Sequence, residues 1–439
     1  MNALMVSIIA LLMLLVFLFI GVPIAINFII IGFVGIIVLL GSVKPAISIL
    51  GQSMYYVIAS PAFAALPLFV LMGSFAARGG FARKAYDCLF KLTSRLPGSL
   101  AIATSFACAA FGAISGSSLA TAALFGRIAM PEMDRYKYEK SLSLGTIASS
   151  GSFASMIPPS SGLIVYSMLT EQSIGKMFLA GVLPGLLTAL AYVVSIIIRV
   201  KLNPKLAPTL KDKVFTPREK LESIKDTWSI FILILIVFGG IYSGLFTPTE
   251  AAAVGALATF IIGFFQGKLN KLDNVKESVG ESAKTSSMIF LIIIGALFFS
   301  RFIAISQLTD KLSYAVQAWD VHRSVVLGLI LVIWFFLGMI MIPTGIKALV
   351  LPIIFPVILL LGYNPIWFGI IIQKLSEIAV VTPPVGLNVY TLKGVVGKGT
   401  TLEEVFRGIW PFVLVDVIVL IFLLAFPDIS LFLPNLFFK

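Results

Sequence analysis

Two short stretches rich in glycine, proline and hydroxyl residues lie inside strongly apolar sequence: G-A-I-S-G-S-S (Gly112–Ser118) and A-S-M-I-P-P-S-S-G (Ala154–Gly162). Both are poor helix formers, because glycine loses much backbone freedom and proline removes a hydrogen-bond donor. In hydrocarbon, each freed backbone group is costly unless protein, water or a ligand satisfies it. Hydroxyl and carbonyl oxygens suit a small cation, and the N–H groups that begin a half-helix attract an anion. The two stretches therefore predict a protected cavity with ion-binding chemistry.

A second pair of stretches repeats this pattern about 225 positions later, at G-M-I-M-I-P-T-G (Gly338–Gly345) and V-V-T-P-P-V-G-L-N (Val380–Asn388). The simpler explanation is close helix packing, for which membrane bundles use glycine, serine and threonine. That explanation suffices for a single match, but four interruptions in a two-fold pattern favour function. Interrupted segments at matching positions of two halves indicate the binding site of a transporter.

Ionisable side chains inside apolar spans are functional hypotheses in their own right. Glu377 lies three positions after Lys374, and a purely structural ion pair of Glu377 with Lys374 or Lys347 is an equally good explanation. Asp416, in the last span, is expected to neutralise a neighbour or to reach towards the interface. Arg301 ends a span near the outer face, where it either meets an anionic substrate or, more simply, anchors the helix. We therefore treat Arg301, Lys347 and Glu377 as candidate charge partners.

The composition places these residues in a polytopic α-helical membrane protein. Hydrophobic residues make up 59% of the 439 residues, charged residues 12%, and the mean hydropathy is +1.06. The net charge of +12 comes from short loops between spans, so it does not require a nucleic-acid partner. Two cysteines and one histidine give no metal-ligand spacing. No phosphate-binding loop or nucleophile–base set occurs, so neither ATP hydrolysis nor another enzymatic activity is expected.

The apolar segments divide the chain into two halves of five spans each. Because five is odd, the second half must have the opposite orientation, so the sequence predicts two inverted repeats. The basic residues favour this: 24 fall on the side assigned to the cytoplasm and six on the other, with both termini outside. The N-terminus lacks the charged start of a signal peptide, so the first span is expected to be retained. The predicted units are a first repeat 1–200 with a re-entrant hairpin 98–131 and a broken span 140–170, a cytoplasmic linker 201–226, and a second repeat 227–439 with a hairpin 324–361 and a broken span 364–392.

Several motifs in this chain resemble those of the large membrane subunit of tripartite ATP-independent periplasmic (TRAP) transporters. They are G-A-I-S-G-S-S-L-A-T-A-A (Gly112–Ala123), I-P-P-S (Ile157–Ser160), T-E-Q-S-I-G-K-M-F-L-A-G-V-L-P-G (Thr170–Gly185), T-P-T-E-A-A-A-V-G (Thr247–Gly255) and T-P-P-V-G-L-N (Thr382–Asn388). The resemblance covers essentially the whole chain. It implies a sodium-driven importer of organic acids in the bacterial inner membrane, with a scaffold and an elevator-type transport domain. It also implies a small four-helix membrane subunit and a soluble periplasmic binding protein as partners.

Together with the interruptions, the resemblance predicts sites for sodium, the expected coupling ion, where each hairpin tip meets its broken span. The substrate is expected between the two tips near the bilayer midplane. Many members of that family have an acidic residue at the second tip where this chain has Ile342, which leaves the ligands of the second sodium site open. The predicted sodium ligands are Ser115, Gly116, Ser118, Ser155, Pro158, Thr344, Thr382 and Gly386, and the predicted substrate ligands are Ser117, Ser118, Thr344 and Asn388.

Three other classes fit parts of the pattern. A stand-alone sodium/carboxylate symporter of the same architecture would lack the delivery protein, and a channel or a membrane-embedded enzyme is less consistent with the paired interruptions. The substrate stays open as well. Sialic acid, C4-dicarboxylates and other 2-oxo or sugar acids all suit an anion site made of backbone and hydroxyl groups.

Overall fold

The computed structural model describes residues 3–208, 215–319, 321–397 and 399–438, and these residues form helices and connecting turns without a strand. Several helices begin at side-chain caps that the sequence supplies. At Thr216, Thr247 and Thr401, the hydroxyl accepts from a backbone N–H three residues on, and a glutamate there bonds back to the threonine. The prediction of an all-α polytopic membrane protein is confirmed.

The described residues of the first half form ten α-helices. Residues 140–170 are interrupted between two of them, at the Pro158–Pro159 pair, as the sequence predicted. The helices are α1 (Ala3–Phe19), α2 (Ile24–Leu40), α3 (Val43–Ala59), α4 (Ala65–Arg78), α5 (Phe81–Thr93), α6 (Ser99–Ser115), α7 (Ser118–Arg135), α8 (Lys140–Phe153), α9 (Ser161–Thr170) and α10 (Ile174–Leu202).

The predicted linker 201–226 ends in a short helix, α11 (Pro217–Asp226), and its residues 209–214 lie outside the described part of the chain. A π-helical turn at Leu235–Gly239 joins two helices of the second half. The helices are α11 (Pro217–Asp226), α12 (Trp228–Ile234), α13 (Gly240–Tyr242), α14 (Pro248–Phe265), α15 (Leu272–Ile305), α16 (Leu308–Ala318), α17 (Arg323–Gly338), α18 (Pro343–Leu360), α19 (Pro365–Val381), α20 (Leu387–Val396), α21 (Leu402–Ala425) and α22 (Asp428–Phe437).

Six helices of the described chain are long and apolar enough to cross a membrane, or seven if the bent pair Pro217–Asp226 and Trp228–Tyr242 counts as one span. Shorter apolar helices, among them α1 and α2 with 17 residues each, accompany them. The count of ten spans therefore stays a prediction.

The extents of two long helices in the second half have local causes. Residues 272–305 form one continuous helix, α15, because no proline lies among them and the single glycines there tolerate helix. Helix α21 begins at Leu402 and ends at Ala425, two residues before Pro427. A proline disfavours helical backbone in the residue that precedes it, so the chain breaks there and continues as α22.

The two halves are interleaved rather than side by side. Helix α2 packs against α15 while α14 packs against α4, and α4 and α15 also pack against each other. Likewise α9 packs against α18 and α20 against α7, so the second helix of each tip hairpin lies against the broken span of the other half. Such reciprocal pairing is what a two-fold repeat produces, and the opposite orientation of the halves stays a prediction.

Candidate functional site

The first hairpin turns at Gly116 and Ser117, between α6 and α7. Gly116 has φ +59°, and a Cβ added there would lie 2.2 Å from the carbonyl oxygen of Pro159. The carbonyl oxygen of Gly116 accepts from both the N–H (3.3 Å) and the hydroxyl (3.0 Å) of Ser161. Ser117 caps α7 by accepting from Ala120 N–H. The tip and the break of the first half are therefore joined backbone to backbone, which only glycine permits.

The second hairpin turns over residues 339–342, and Pro343 is the first residue of α18. Proline suits this position because its fixed φ matches the helix and its missing N–H would be unsatisfied there anyway. Gly338, at the end of α17, packs closely against Ala379 of α19: a Cβ on the glycine would lie 2.8 Å from the Cβ of Ala379. The second tip is thereby held beside the broken span of its own half.

A cavity of about 210 Å³ lies between the two tips. Helices α4, α15 and α19 each turn one face to it, at positions spaced three and four residues apart. Both halves of the chain therefore build a single site. It is lined by Val70, Gly73, Ser74 and Ala77 of α4, Ser115–Ala120 of the first tip, Ser155, Ser161 and Gly162 at the first break, Glu281, Thr285, Met288 and Ile289 of α15, Ile342–Thr344 of the second tip, and Gln373, Ser376, Glu377 and Val380 of α19.

Most of the residues predicted around the tips line this cavity. They are Ser115, Gly116, Ser117, Ser118, Ser155, Thr344 and Glu377. Ile342, the departure from the family pattern, also lines it, so the second tip contributes an apolar side chain where many family members have an acidic one. Whether these residues bind sodium or substrate stays a prediction.

Other predicted residues lie elsewhere. Asn388 is fully buried and its amide points to the carbonyl oxygen of Ala148 (3.4 Å), while Thr382 lines a separate apolar cavity and donates to Ile378 O (2.6 Å). Pro158 and Gly386 do not line the cavity between the tips, and Arg301 is exposed on α15. Each of the four interrupted segments contributes at least one residue to the cavity wall, but the pattern did not show which side chains in each segment turn towards the cavity.

Two polar residues of α19 were missed by the sequence reasoning. Gln373 donates to Ser155 Oγ (3.1 Å), and Ser376 accepts from the indole N–H of Trp334 (2.9 Å). The signal was present: Ser376 and Glu377 lie three and four residues after Gln373, which places all three on one helix face. A polar stripe within an otherwise apolar span would have identified the lining of the cavity.

A buried group of charged residues lies behind that stripe. The Lys374 amine donates to Asp416 Oδ1 (2.7 Å) and to Thr188 Oγ1 (3.1 Å), whereas Glu377 Oε2 is 3.8 Å away. Tyr192 donates to the other carboxylate oxygen of Asp416 (2.6 Å). Asp416 therefore neutralises Lys374, one of the two outcomes expected for it, and the Lys374–Glu377 pair is the longer contact.

Lys347 of α18 is fully buried and contacts the cavity wall through the side-chain amide of Gln373. Its amine donates to Gln373 Oε1 (2.8 Å), and Gln373 in turn donates to Ser155. No carboxylate lies within 4 Å of the Lys347 amine among the described residues. The ion pair of Glu377 with Lys347, one of the two structural alternatives, is therefore not formed, and the Gln373 amide lies between the two side chains.

The polar end of the cavity lies where α4 ends and α15 begins. Arg78 donates to Glu281 (2.5 Å) and to Glu277 (3.3 Å), and the Ser74 hydroxyl donates to Glu281 (3.3 Å). These side chains are partly exposed, so the ion pairs contribute little free energy. They connect α4 with α15, the two helices that line this end of the cavity.

The chain resembles known proteins at the level of family, sequence and fold. Residues 11–429 match the family model of the tripartite ATP-independent periplasmic transporter, DctM component. The C4-dicarboxylate TRAP transporter large permease protein DctM of Pseudomonas aeruginosa is 35% identical, over 84% of this chain and 86% of that protein. The isethionate TRAP transporter permease protein DctMQ of Oleidesulfovibrio alaskensis is 31% identical, over 95% of this chain and 64% of that protein.

Among solved structures, the Alcanivorax borkumensis YdaH transporter has a similar fold, with a TM-score of 0.66 over 88% of each chain. Its sequence identity to this chain is 14%, so the similarity concerns the fold alone.

Proposed function

The chain belongs to the DctM family of tripartite ATP-independent periplasmic transporters, and on that basis we propose that it is a sodium-coupled importer of a small organic acid. It moves its substrate without changing it chemically. The observation that carries the proposal is the single cavity between the two hairpin tips, with serine and threonine hydroxyls on both sides. Hydroxyl and backbone oxygens at broken helices are the usual ligands of a coupling sodium ion.

The importer works with a small membrane subunit and a periplasmic binding protein in the bacterial inner membrane. The isethionate relative supports the small membrane subunit as a partner. That protein is named DctMQ, and its alignment with this chain covers 64% of its length, so it contains a further part that this chain lacks. The named substrates of the two relatives, a C4-dicarboxylate and isethionate, are both small organic anions. They support the substrate class and leave its identity open.

Sodium binds where each tip meets its broken span, and the two repeats have opposite orientations. The close contact of Gly116 with Pro159 supports the first site, because it brings several oxygens of tip and break together. The reciprocal packing of α9 with α18 and of α20 with α7 supports an elevator-type domain built from both halves. Such a domain moves the substrate together with its ions.

The substrate carboxylate binds between Ser117, Ser118 and Thr344, near the starts of α7 and α18. A helix start contributes only about 0.3–2 kcal/mol towards an anion. No lysine, arginine or histidine is among the described residues that line the cavity. The sodium ions therefore supply most of the positive charge, so that substrate and sodium must raise each other's affinity by the same factor.

The experiment is uptake into proteoliposomes that contain this chain and its small subunit, with the binding protein loaded with candidate acids outside. We expect uptake to rise more than linearly with sodium and to be unaffected by ATP. Equal uptake without the binding protein would instead support the stand-alone symporter. A linear or sodium-independent response would contradict sodium coupling.

A matched pair of variants tests the position of the substrate. Ser118→Ala removes a hydroxyl from the cavity, so we expect it to raise the half-saturating substrate concentration about tenfold, the loss of one hydrogen bond to a charged group. Asn388→Ala removes a buried amide away from the cavity, and we expect it to lower thermal stability at unchanged substrate affinity. If the two effects are exchanged, the substrate lies next to Asn388.

A further inference from the structure

A long groove lies between α17 and α21, with α19 as its floor. It consists of two adjoining cavities of about 590 and about 530 Å³ that share Leu331. Both α17 and α21 pack against α19, but they barely contact each other along their described lengths. The floor is buried at Leu375 and Ile378, whereas Val332 and Phe336 on the rim are 53% and 60% exposed. Apolar side chains on the outside of a membrane protein contact lipid, so this α17–α21 groove opens towards the bilayer.

The two ends of the α17–α21 groove differ in polarity. The larger cavity is lined by apolar and aromatic side chains apart from Thr382, whose hydroxyl is already donated to Ile378 O (2.6 Å). The smaller cavity contains His322, Arg323 and Asn364. The groove therefore has an apolar body and one polar, basic end.

On α17 the lining residues follow one helix face from the basic end to the second tip. Arg323, Leu327, Leu331, Phe335 and Met339 all line the groove and succeed one another at four-residue steps. At 1.5 Å per residue, the apolar part from Leu327 to Met339 is about 18 Å long. One half of the hydrocarbon core of a bilayer is about 15 Å thick. An acyl chain that starts at the basic end can therefore lie along the whole groove.

Arg323 is held in a position that suits a phosphate. Its guanidinium lies 5.2 Å from the ring centroid of Tyr363, and that ring stacks on Trp367 at 5.4 Å. Among the described residues, no carboxylate lies within 4 Å of this guanidinium. Stacking on a ring orients the planar group and leaves its N–H edge for a bidentate acceptor such as phosphate. Basic and aromatic side chains together are typical of the headgroup level of a membrane.

The first half of the chain closes the equivalent groove. Helices α6, α8 and α10 precede α17, α19 and α21 by about 225 residues, and α6 packs directly against α10. Gly98, 225 residues before Arg323, lies so close to α10 that an added Cβ would be 2.8 Å from Ile196 Cγ2. The second half has an arginine in place of this glycine, and its groove is open. The open groove is therefore specific to the second half and not a general consequence of the repeated fold.

We propose that the α17–α21 groove binds one glycerophospholipid, with its phosphate at Arg323 and one acyl chain along α17 as far as Met339. A chain in the groove contacts protein on three sides, whereas a lipid on a smooth helix surface contacts it on one, and dispersion contacts add up. Met339 adjoins the second tip and Thr382 the second break, so the bound chain stabilises the packing of tip against broken span. The inference does not depend on the proposed sodium coupling or on the substrate.

The test uses the purified complex with the small subunit, delipidated in detergent and titrated with dioleoyl phosphatidylglycerol. Native mass spectrometry counts the lipids bound per complex. Dioleoylglycerol, which has the same chains without the phosphate, is the second probe. Arg323→Gln removes the phosphate donor, and Leu331→Trp fills the junction of the two cavities. The matched controls are Arg407→Gln, exposed near the other end of α21, and Leu329→Trp, exposed on α17 outside the groove.

We expect one phosphatidylglycerol per chain and at least tenfold weaker binding of dioleoylglycerol. Arg323→Gln should raise the half-saturating phosphatidylglycerol concentration about tenfold, the loss of one hydrogen bond to a charged group. Leu331→Trp should abolish binding, and both controls should bind normally. Phosphatidylglycerol should raise the thermal midpoint of the unmodified complex but not that of Leu331→Trp. Because Arg323 is exposed, misfolding does not account for weaker binding by its variant.

Three results would overturn the inference. Equal binding by Leu331→Trp and Leu329→Trp would mean that the lipid is only part of the general lipid shell. Equal affinity for the two lipids, or unchanged affinity in Arg323→Gln, would mean that no phosphate is recognised at this end. A complex that binds no phosphatidylglycerol would indicate that protein covers the groove. In each case sodium-dependent uptake would be unaffected, so the proposed function is tested separately.

Discussion

Gly116→Ala is the sharpest test of the junction between the first tip and its break. A Cβ at this position would lie 2.2 Å from Pro159 O, whereas ordinary contact begins at 3.4 Å, so the backbone must separate by about 1.2 Å. The obstacle is backbone on both sides, and a rotamer change cannot relieve it. The positive φ adds about 1–2 kcal/mol, and overpacking of this kind costs typically 1–3 kcal/mol.

A shift of about 1 Å exceeds the roughly 0.5 Å within which a binding constellation must be held. Ligands of a sodium ion at this junction would therefore be displaced, and we expect the half-saturating sodium concentration for uptake to rise about 10- to 100-fold. The matched control is Gly41→Ala. Gly41 also has a positive φ of +68°, but no atom lies within 4 Å of an added Cβ.

Both variants carry the backbone strain, and only Gly116→Ala carries the steric overlap. Sodium-dependent uptake is measured in proteoliposomes, and thermal stability is measured in choline for both variants. Gly41→Ala should change the half-saturating sodium concentration less than about twofold. If the two variants have the same sodium dependence, close contact between tip and break is not needed for coupling, and the first sodium site must be placed elsewhere.

Two further predictions concern topology and the buried ion pair. With the two native cysteines replaced, Leu436→Cys on α22 should react with an impermeant maleimide in intact cells and Lys225→Cys on α11 only after permeabilisation, whereas the reverse pattern would contradict the inverted orientation. Asp416→Asn should lower the free energy of unfolding by about 3–5 kcal/mol because it leaves Lys374 buried without its closest partner. The exposed Asp310→Asn should change it by less than about 0.5 kcal/mol. Titration with a denaturing detergent measures the free energy of unfolding of both variants. If Asp416→Asn and Asp310→Asn change it equally, the ion pair of Lys374 with Asp416 is not needed for stability.

The native cysteines favour the labelling experiment. Cys88 and Cys108 are both buried and unpaired by disulfide, so they offer little background reactivity in the folded protein. Their replacement is nevertheless required, because transient opening would expose them to the reagent on the timescale of labelling.

The charged residues of α19 lie in two different surroundings. On one face, Lys374 is satisfied by Asp416 and Thr188, and that face packs into the interior. The adjacent face presents Gln373 and Glu377 to the cavity, where one carboxylate oxygen is left without a donor. Lys374 and Glu377 are three residues apart, so a difference of about 60° around the helix separates the buried ion pair from the wall of the cavity.

Much of the architecture was predictable from the sequence because its causes are local. Apolar runs of membrane-spanning length, the helix breaks at Gly116 and at the two proline pairs, and the recurrence of the pattern after about 225 residues are all read directly from residue order. Those features predicted the all-α class and the four interrupted segments, whereas the family followed from the resemblance of particular motifs.

The choice of side chains within those segments was decided only by tertiary structure. Ser118 and Asn388 are both polar residues next to a break, yet one lines the cavity and the other is packed against α8. The partner of Lys374 is Asp416, 42 residues away, rather than the nearby Glu377. Residue order determines which helices are interrupted. Which atoms meet depends on how each helix is rotated and on which helices of the other half pack against it. These depend on packing between residues far apart in the chain, which no local pattern encodes.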